Sequence, residues 1–344
     1  MSGIVETIEE IQTDRERTQR PESRFPPIVA WNAFHADDIP EPPVLIEDVL
    51  HQGNKLAIGG GSKSFKTWTL IDLAFSVATG SPWLGWNTTA GKVLYLNLEL
   101  QGFSFRKRCE AVREAKRITS NVPNLHIWNL RGYAADIAGL VPTFLDAMQD
   151  QNFALVIVDP IYKVLGRRNE SAPGDVAEML NHLERLAVQS GAAVAFGAHF
   201  SKGNQASKDA MDRISGAGTF ARDPDAILTM TRHEEEDCFT VEATLRDFPP
   251  VSSFVVGWSF PMMQRREELN PEKLKKAKSG REREFEPADA VELLRERAMT
   301  TSEWQKACAD ELGMSKTSFY VTYKPEAERK KLVQCVTKKW IPRA

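Results

Sequence analysis

The sequence predicts an α/β domain with a parallel-rich sheet, followed by a small C-terminal helical domain. Four apolar runs bounded by turn residues are typical of buried strands: NKLAIGG, KVLYLNLEL, FALVIVDP and AAVAFGAHF. Helical patterns separate these runs. In residues 66–79, Leu70, Ala74 and Val77 share one face, and Gly80 stands where a helix would end. Near-continuous apolar strands that alternate with helices indicate a parallel sheet covered on both faces.

Length, charge and composition indicate which classes of protein the chain does not resemble. The chain of 344 residues is long enough for one large and one small domain, and its formal net charge of −3 gives no overall nucleic-acid signal. No apolar stretch approaches the roughly 20 residues that span a bilayer, so we expect no membrane segment. The N-terminal residues lack the apolar centre of a signal peptide. The four cysteines form no C-x-x-C pair, which favours reduced thiols and a cytoplasmic location.

Four segments are predicted along the chain. Residues 1–28 are polar and charged, and we interpret them as a flexible N-terminal arm. Residues 29–263 carry the α/β pattern. Residues 264–284 are almost entirely charged or polar, as expected of a linker or a solvated helix. Residues 285–344 contain three short helical patterns and a terminal strand pair, which is the order of a winged helix, although a protein-interaction module is the alternative.

The segment IGGGSKSFKTW, residues 58–68, matches a phosphate-binding loop at all but one position. The P-loop pattern is Gly, four free positions, Gly, Lys and Ser/Thr, and Phe65 occupies the second Gly position. Backbone N–H groups surround phosphates in such a loop, Lys supplies charge, and Ser/Thr binds Mg²⁺. The predicted nucleotide-binding residues are Gly60, Gly61, Ser62, Lys63, Ser64, Phe65, Lys66, Thr67 and Trp68. A Gly-rich strand-to-helix turn with a solvated Lys is the alternative.

Polar side chains end three other predicted strands. Asp159 ends LVIVDP, where a Walker B carboxylate would hold Mg²⁺ through water together with Thr67. Glu99 ends VLYLNLEL, and a carboxylate there is a candidate to orient the water that attacks a γ-phosphate. His199 follows AFGA, where a polar residue could sense the γ-phosphate. The alternative for each is a structural role in a turn, on the surface or in a hydrogen bond.

Five segments occur in a characteristic order over roughly residues 44–260: LIEDVLHQGNKLAIGGGSKSFKTW, VLYLNLEL, LVIVDPIYKV, GAHFSKG and TLRDFPPVSSF. Together they resemble the RecA-type ATPases of the plasmid RepA replicative-helicase group, which are relatives of the DnaB-like helicases. The resemblance implies a RecA-like P-loop NTPase core that uses ATP and Mg²⁺. It implies that Lys66 and Thr67 bind phosphates and Mg²⁺, that Asp159 is the Walker B carboxylate, that Glu99 is the catalytic base, and that His199 is the sensor. Phe65 resembles a tolerated variant of that group.

The same resemblance implies a ring, expected to be a homo-hexamer, that acts on DNA as a replicative helicase or a related DNA-remodelling motor. A replication initiator or a primase is the candidate protein partner. The polar segment 202–219 is the candidate channel loop, with Lys202, Lys208 and Arg213 available for DNA phosphates. An ordinary surface loop is the alternative.

Arg246, in TLRDFPP, is the candidate finger that reaches the γ-phosphate held by a neighbouring subunit. A guanidinium suits that task because it stays charged and offers a planar fork to phosphate oxygens. The alternative is an ion pair with a carboxylate such as Asp247. A rival family, the ParA-like ATPases, carries an extra Lys five positions before the invariant one. Lys63 stands only three positions before Lys66, which argues against that rival.

The C-terminal segment supplies a second candidate DNA surface. Lys316 lies at the start of its third helix, where a recognition helix meets DNA, and Lys338 and Lys339 lie on the predicted wing. These residues also support an alternative function, an ATP-switched, sequence-specific DNA-binding protein of regulation or recombination. A small-molecule P-loop kinase is less favoured, since the sequence has a DNA-binding-like appendage and no evident acceptor lid.

Overall fold

The computed structural model describes residues 27–133, 137–148, 151–166, 172–199, 223–275 and 286–343. The chain divides into two compact units, with the boundary after Lys273. Most of the predicted N-terminal arm, the candidate channel loop and residues 276–284 of the predicted linker lie outside the described residues. Within the described ranges, no helix is both long and apolar enough to cross a lipid bilayer.

The first unit is built on a nine-stranded sheet. Its strands are β3 (Lys55–Gly60), β4 (Lys92–Asn97), β5 (Leu125–Asn129), β6 (Phe153–Asp159), β7 (Ala193–His199), β8 (Ala226–Arg232), β9 (Cys238–Leu245), β10 (Phe254–Ser259) and β11 (Met262–Arg265). Their order is β11-β10-β9-β8-β3-β7-β6-β4-β5. Strands β3 to β8 run parallel, and β9 to β11 are added antiparallel at one side. The predicted α/β fold with a parallel-rich sheet is confirmed. A small separate pair, β1 (Val44–Ile46) and β2 (Leu50–His51), precedes the sheet.

Helices cover both faces of this sheet. They are α2 (Lys66–Thr79), α3 (Gly102–Ala115), α4 (Ile137–Met148) and α5 (Pro173–Ser190), whereas the short helix α1 (Trp31–Ala36) that precedes them has no buried residue. Successive residues of a strand point to opposite faces, so β6 contributes Leu155 to one apolar core and Val156 to the other. Helices α2 and α3 supply the first core, and α4 and α5 supply the second. A strand buried on both faces requires the continuous apolar run seen in the sequence.

The antiparallel side of the sheet takes up part of the predicted linker. Strand β11 reaches Arg265 and pairs with β10. Beyond it, the carbonyl oxygen of Asn270 contacts Nε2 of His233 at 2.9 Å, and that of Pro271 accepts a 2.9 Å hydrogen bond from Thr240. Residues 264–273 therefore pack on the first unit, although their charge suggested a linker.

The second unit has its own apolar core. Its elements are α6 (Pro287–Glu296), α7 (Thr301–Leu312), α8 (Lys316–Ser318), a π-helical turn (Phe319–Tyr323), α9 (Lys324–Arg329), β12 (Val333–Val336) and β13 (Lys339–Pro342). Buried Trp304 donates a hydrogen bond of 2.6 Å to the carbonyl of Ala290 and packs edge-on against Phe319. The helices precede an antiparallel hairpin. The assignment of this unit as a DNA-binding winged helix stays a prediction.

Candidate active site

Four parallel strands carry predicted site residues to one edge of the sheet. Strands β3, β7, β6 and β4 are consecutive neighbours, so their carboxyl ends meet. Gly60 at the end of β3 pairs with His199, and Asn97 at the end of β4 pairs with Asp159. A cavity of about 420 Å³ opens there. It is lined by Lys63, Ser64, Phe65, Lys66, Thr67, Trp68, Glu99, Arg108, Asp159, Pro160, Gly197 and His199.

This cavity gathers most of the predicted site. Lys66, Thr67, Glu99, Asp159 and His199 all line it, together with four further residues of the predicted nucleotide-binding loop. Gly60, Gly61 and Ser62 form the turn that leads into it. The gathering follows from topology, because parallel neighbours place their strand-end residues side by side. The cavity volume lies in the range of natural small-molecule sites.

The loop closes around the Lys66 ammonium group. Nζ of Lys66 donates to the carbonyl oxygens of Gly60 and Gly61, each at 2.9 Å. The Ser64 hydroxyl donates to the Gly61 carbonyl at 2.8 Å, and a Cβ on Gly60 would overlap that hydroxyl. Glycine is therefore needed at position 60 for close packing of the loop. The resulting backbone curve has the compact form that surrounds a phosphate.

Phe65 keeps the backbone conformation that the pattern normally assigns to glycine. Its φ is 59°, in the left-handed region, directly before α2 begins. For a non-glycine residue this costs on the order of 1–2 kcal/mol. The Phe65 ring stacks on Trp258 at 4.1 Å between centroids and meets Phe239 edge-on at 6.1 Å. Such pairs contribute about 0.5–1.5 kcal/mol each beyond buried area, which offsets the strain. The side chain thus anchors the loop to β10 and β9.

Asp159 is buried and held by two hydroxyl groups. The Tyr95 hydroxyl donates to its Oδ2 at 2.8 Å, and the Thr67 side chain also hydrogen-bonds to it. Burial raises the pKa of Asp159, while these two hydrogen bonds lower it. Neighbouring hydroxyl and carboxylate oxygens suit Mg²⁺, which is usually bound by one or two protein groups plus substrate phosphates. In the described ranges no group of three or more His, Cys, Asp or Glu side chains could hold a metal by itself.

Glu99 and His199 complete the polar side of the cavity. Glu99 follows β4, and the backbone N–H of Leu98 donates to the Asp159 carbonyl at 3.1 Å, which fixes this strand end beside β6. Burial lowers the pKa of His199, the Lys66 charge lowers it further, and Glu99 opposes both. A lowered pKa favours the neutral imidazole, which can donate one hydrogen bond and accept another.

Arg246 lies at the opposite edge of the sheet. Leu245 pairs with Ala226 at the start of β8, whereas Gly60 pairs with Met230 near its end. The Arg246 guanidinium, 53% exposed, binds Oδ1 of Asp225 at 2.7 Å and donates to the backbone carbonyl of Asp223 at 3.2 Å. Arg246 does not line the cavity of its own chain. Its role toward a neighbouring subunit stays a prediction.

The candidate DNA-contacting residues fall into two groups. Lys202, Lys208 and Arg213 lie outside the described residues. Lys316, Lys338 and Lys339 are exposed in the second unit, at the start of α8 and on the hairpin between β12 and β13. Their contact with DNA stays a prediction.

Two residues of the site carried no recognisable sequence signal. Tyr95 has the pattern of an ordinary core residue of a buried strand, yet its hydroxyl contacts Asp159. Arg108 is one of several cations on α3, yet it lines the cavity with its guanidinium carbon 4.9 Å from the centre of the Trp68 ring. Both contacts depend on tertiary packing.

Comparison with known families agrees with this geometry. A family model described as an AAA domain matches residues 19–205, which is more than half of the chain. The match includes the phosphate loop, Glu99, Asp159 and His199. A search of curated proteins returned no match.

Proposed function

The chain belongs to the AAA domain family of P-loop NTPases, and we propose that it is a Mg²⁺-dependent ATPase that acts on DNA. One observation carries the proposal. The cavity at the carboxyl edge of the sheet holds Lys66, Thr67, Glu99, Asp159 and His199 together. These are the side chains that phosphate binding, metal binding, water activation and phosphate sensing require.

Each residue has a defined task in hydrolysis. Lys66 exchanges its bonds to the loop carbonyls for oxygens of the β- and γ-phosphates. Thr67 and Asp159 would hold Mg²⁺, which would supply positive charge next to the phosphates. Glu99 accepts the proton of the attacking water, since it lines the same cavity and follows β4, the strand next to the one that Asp159 ends. His199 hydrogen-bonds the γ-phosphate region and responds to the loss of the γ-phosphate.

We further propose that the ATPase is a ring-forming DNA motor, a RepA-like helicase or a related DNA-remodelling enzyme, and that its ring is a homo-hexamer. The support is the resemblance of the five ordered segments and the position of Arg246. An Arg finger that serves a neighbour should lie away from its own nucleotide site, as Arg246 does. A replication initiator or a primase is the proposed protein partner.

The test is ATP hydrolysis with and without single-stranded DNA, measured together with the native mass. We expect hydrolysis that depends on Mg²⁺ and rises with DNA, from an assembly of several subunits. Absence of hydrolysis in all conditions would contradict the ATPase. If a monomer hydrolyses ATP at a rate that does not change with DNA, the protein is an ATPase and the proposed motor function is contradicted.

A second function is favoured by the second unit, which has its own core around Trp304 and exposes Lys316, Lys338 and Lys339. In that case the protein is an ATP-switched DNA-binding protein. A forked duplex separates the two functions, because a motor unwinds it at the expense of ATP. The switch binds DNA at a preferred sequence and leaves the strands paired.

A further inference from the structure

The lining of the cavity includes aromatic side chains beside the polar ones. Trp68 lies in the first turn of α2, two residues after Lys66, and both line the cavity. The Trp68 ring lies 5.5 Å from the ring of Trp258 and 5.6 Å from that of Phe260, measured between centroids. Phe260 is 70% exposed at the turn between β10 and β11. An aromatic wall therefore extends from the phosphate loop to this turn.

A cation lies on that wall. Arg108, from the adjacent helix α3, places its guanidinium carbon 4.9 Å from the centre of the Trp68 ring. A planar guanidinium against an indole is favourable, and the pair offers further flat surface for stacking. Lys66, Thr67 and Asp159, in contrast, provide charge and oxygen atoms in the lining of the same cavity. A nucleotide has the same division into a flat base and a charged phosphate chain.

We propose that Trp68 and Arg108 form the base subsite of this nucleotide site, and that it recognises the base by stacking. The inference rests on the proposed function, since it assumes that the loop binds a nucleoside triphosphate. Stacking recognises the flat face of a base, which all bases possess, and is sequence-tolerant for that reason. The subsite therefore prefers the larger purines to pyrimidines and separates adenine from guanine weakly.

The test compares two ligands that differ only in the presence of a nucleoside. Titration calorimetry with Mg²⁺ measures binding of ATP and of inorganic tripolyphosphate to the full chain and to Trp68→Leu and Arg108→Gln. We expect each variant to lose on the order of tenfold in ATP affinity and to keep its tripolyphosphate affinity. Arg106→Gln is the matched control, because Arg106 is an exposed cation on the same helix that pairs with Glu110.

Each result has a defined meaning. Unchanged ATP affinity in both variants would overturn the base subsite. An equal loss for tripolyphosphate would make Arg108 a phosphate ligand and also overturn it. If the wild-type chain binds neither ligand, the proposed function fails as well, which distinguishes the two failures. Trp68→Phe is the control for a folding defect. It retains an aromatic ring and should therefore keep more ATP affinity than Trp68→Leu.

The base preference gives an independent readout on the wild-type protein. We expect the affinities for ATP and GTP to agree within about tenfold, with CTP bound more weakly than either, because a pyrimidine offers less surface for stacking. A preference for ATP over GTP on the order of a hundredfold would require hydrogen bonds to the edge of the base. That result would overturn recognition by stacking.

Discussion

The hydroxyl of Tyr95 donates a hydrogen bond of 2.8 Å to Oδ2 of Asp159, and both side chains are buried. Tyr95 lies on β4 and Asp159 ends the neighbouring strand β6. This bond stabilises the charged carboxylate and fixes its orientation beside Thr67. Tyr95 is therefore a positioning residue for the proposed Mg²⁺ ligand.

Tyr95→Phe tests this positioning role. The ring would keep its packing on Phe105, whose centroid is 4.9 Å away, so the fold should persist. Loss of the hydrogen bond removes a cause that lowers the pKa of Asp159. The pKa of Asp159 then rises, and activity that needs the carboxylate is lost at a higher pH as the pH falls. A pH profile of kcat/KM, which reports groups of the free enzyme, should show its acid limb displaced to higher pH, and an unmoved limb would contradict the role.

Glu99→Gln and Lys66→Ala should fail in different ways. Gln can hold a water but cannot accept its proton, so Glu99→Gln should bind ATP and hydrolyse it about 10²–10⁴-fold more slowly. Lys66→Ala removes the charge that meets the phosphates and should lose hydrolysis together with most of the ATP affinity. Calorimetry and single-turnover hydrolysis measure the two effects.

Lys107→Ala is the control for both variants, since Lys107 is an exposed cation on α3 that contacts the ring of Phe103. It should behave as wild type. A Glu99→Gln protein that fails to bind ATP, or a Lys66→Ala protein with normal turnover, would contradict the assigned roles.

At position 65 we expect the Gly variant to be more stable than the Ala variant, which is the reverse of their usual order. Phe65→Ala and Phe65→Gly both lose the stack on Trp258, but only Gly relieves the left-handed backbone at φ 59°. Phe65→Gly should therefore be the more stable variant, by about 1 kcal/mol in the free energy of unfolding. Urea denaturation measures the difference. If Phe65→Ala is the more stable one, the loop does not hold this conformation in solution.

The exposed lysines of the second unit can be tested through the salt dependence of DNA binding. Replacing Lys316, Lys338 and Lys339 by Ala should weaken duplex binding, and the slope of log K against log salt should fall by about 0.9 for each DNA phosphate that is no longer neutralised. The control replaces Arg295 and Arg329, exposed cations of the same unit that pair with nearby carboxylates. An unchanged slope in the triple variant would favour a protein-interaction module.

The candidate site could be predicted largely because strand ends are visible in the sequence. A buried apolar run shows where its strand stops, and parallel neighbours bring Glu99, Asp159 and His199 to one edge. Tyr95 could not be predicted in the same way, because its bond to Asp159 depends on the register of β4 against β6. Arg108 has cationic neighbours of the same kind, and only packing against Trp68 distinguishes it.

The antiparallel side of the sheet was harder to predict. The sequence does not reveal whether β9 runs parallel or antiparallel to β8. Because β9 runs antiparallel, its end carries Arg246 to the edge of the sheet that is remote from the phosphate loop. Residues 264–273 are charged in sequence, yet backbone carbonyl groups at Asn270 and Pro271 bind them to the sheet. Backbone hydrogen bonds do not depend on side-chain hydrophobicity, so composition does not reveal them.

The position of Arg246 can be tested first with single variants of this residue. Arg246→Ala should lower turnover on the order of 10³-fold if the residue serves a neighbour's nucleotide. If it serves only its contacts with Asp225 and the Asp223 carbonyl in its own chain, its loss lowers stability and leaves hydrolysis intact. Arg246→Lys keeps the charge without the fork and should remain slow in the first case only.

Mixing Arg246→Ala with Lys66→Ala protein then separates a shared site from a defect within one subunit. An active interface needs its nucleotide site from the Arg246→Ala protein and its guanidinium from the Lys66→Ala protein. With random assembly of an equal mixture, each condition is met half the time, so about a quarter of the wild-type rate should return. Native mass spectrometry confirms that the two proteins co-assemble. Mixed rings that stay inactive would show that Arg246 does not act across the interface, because the intact residues would then have met without effect.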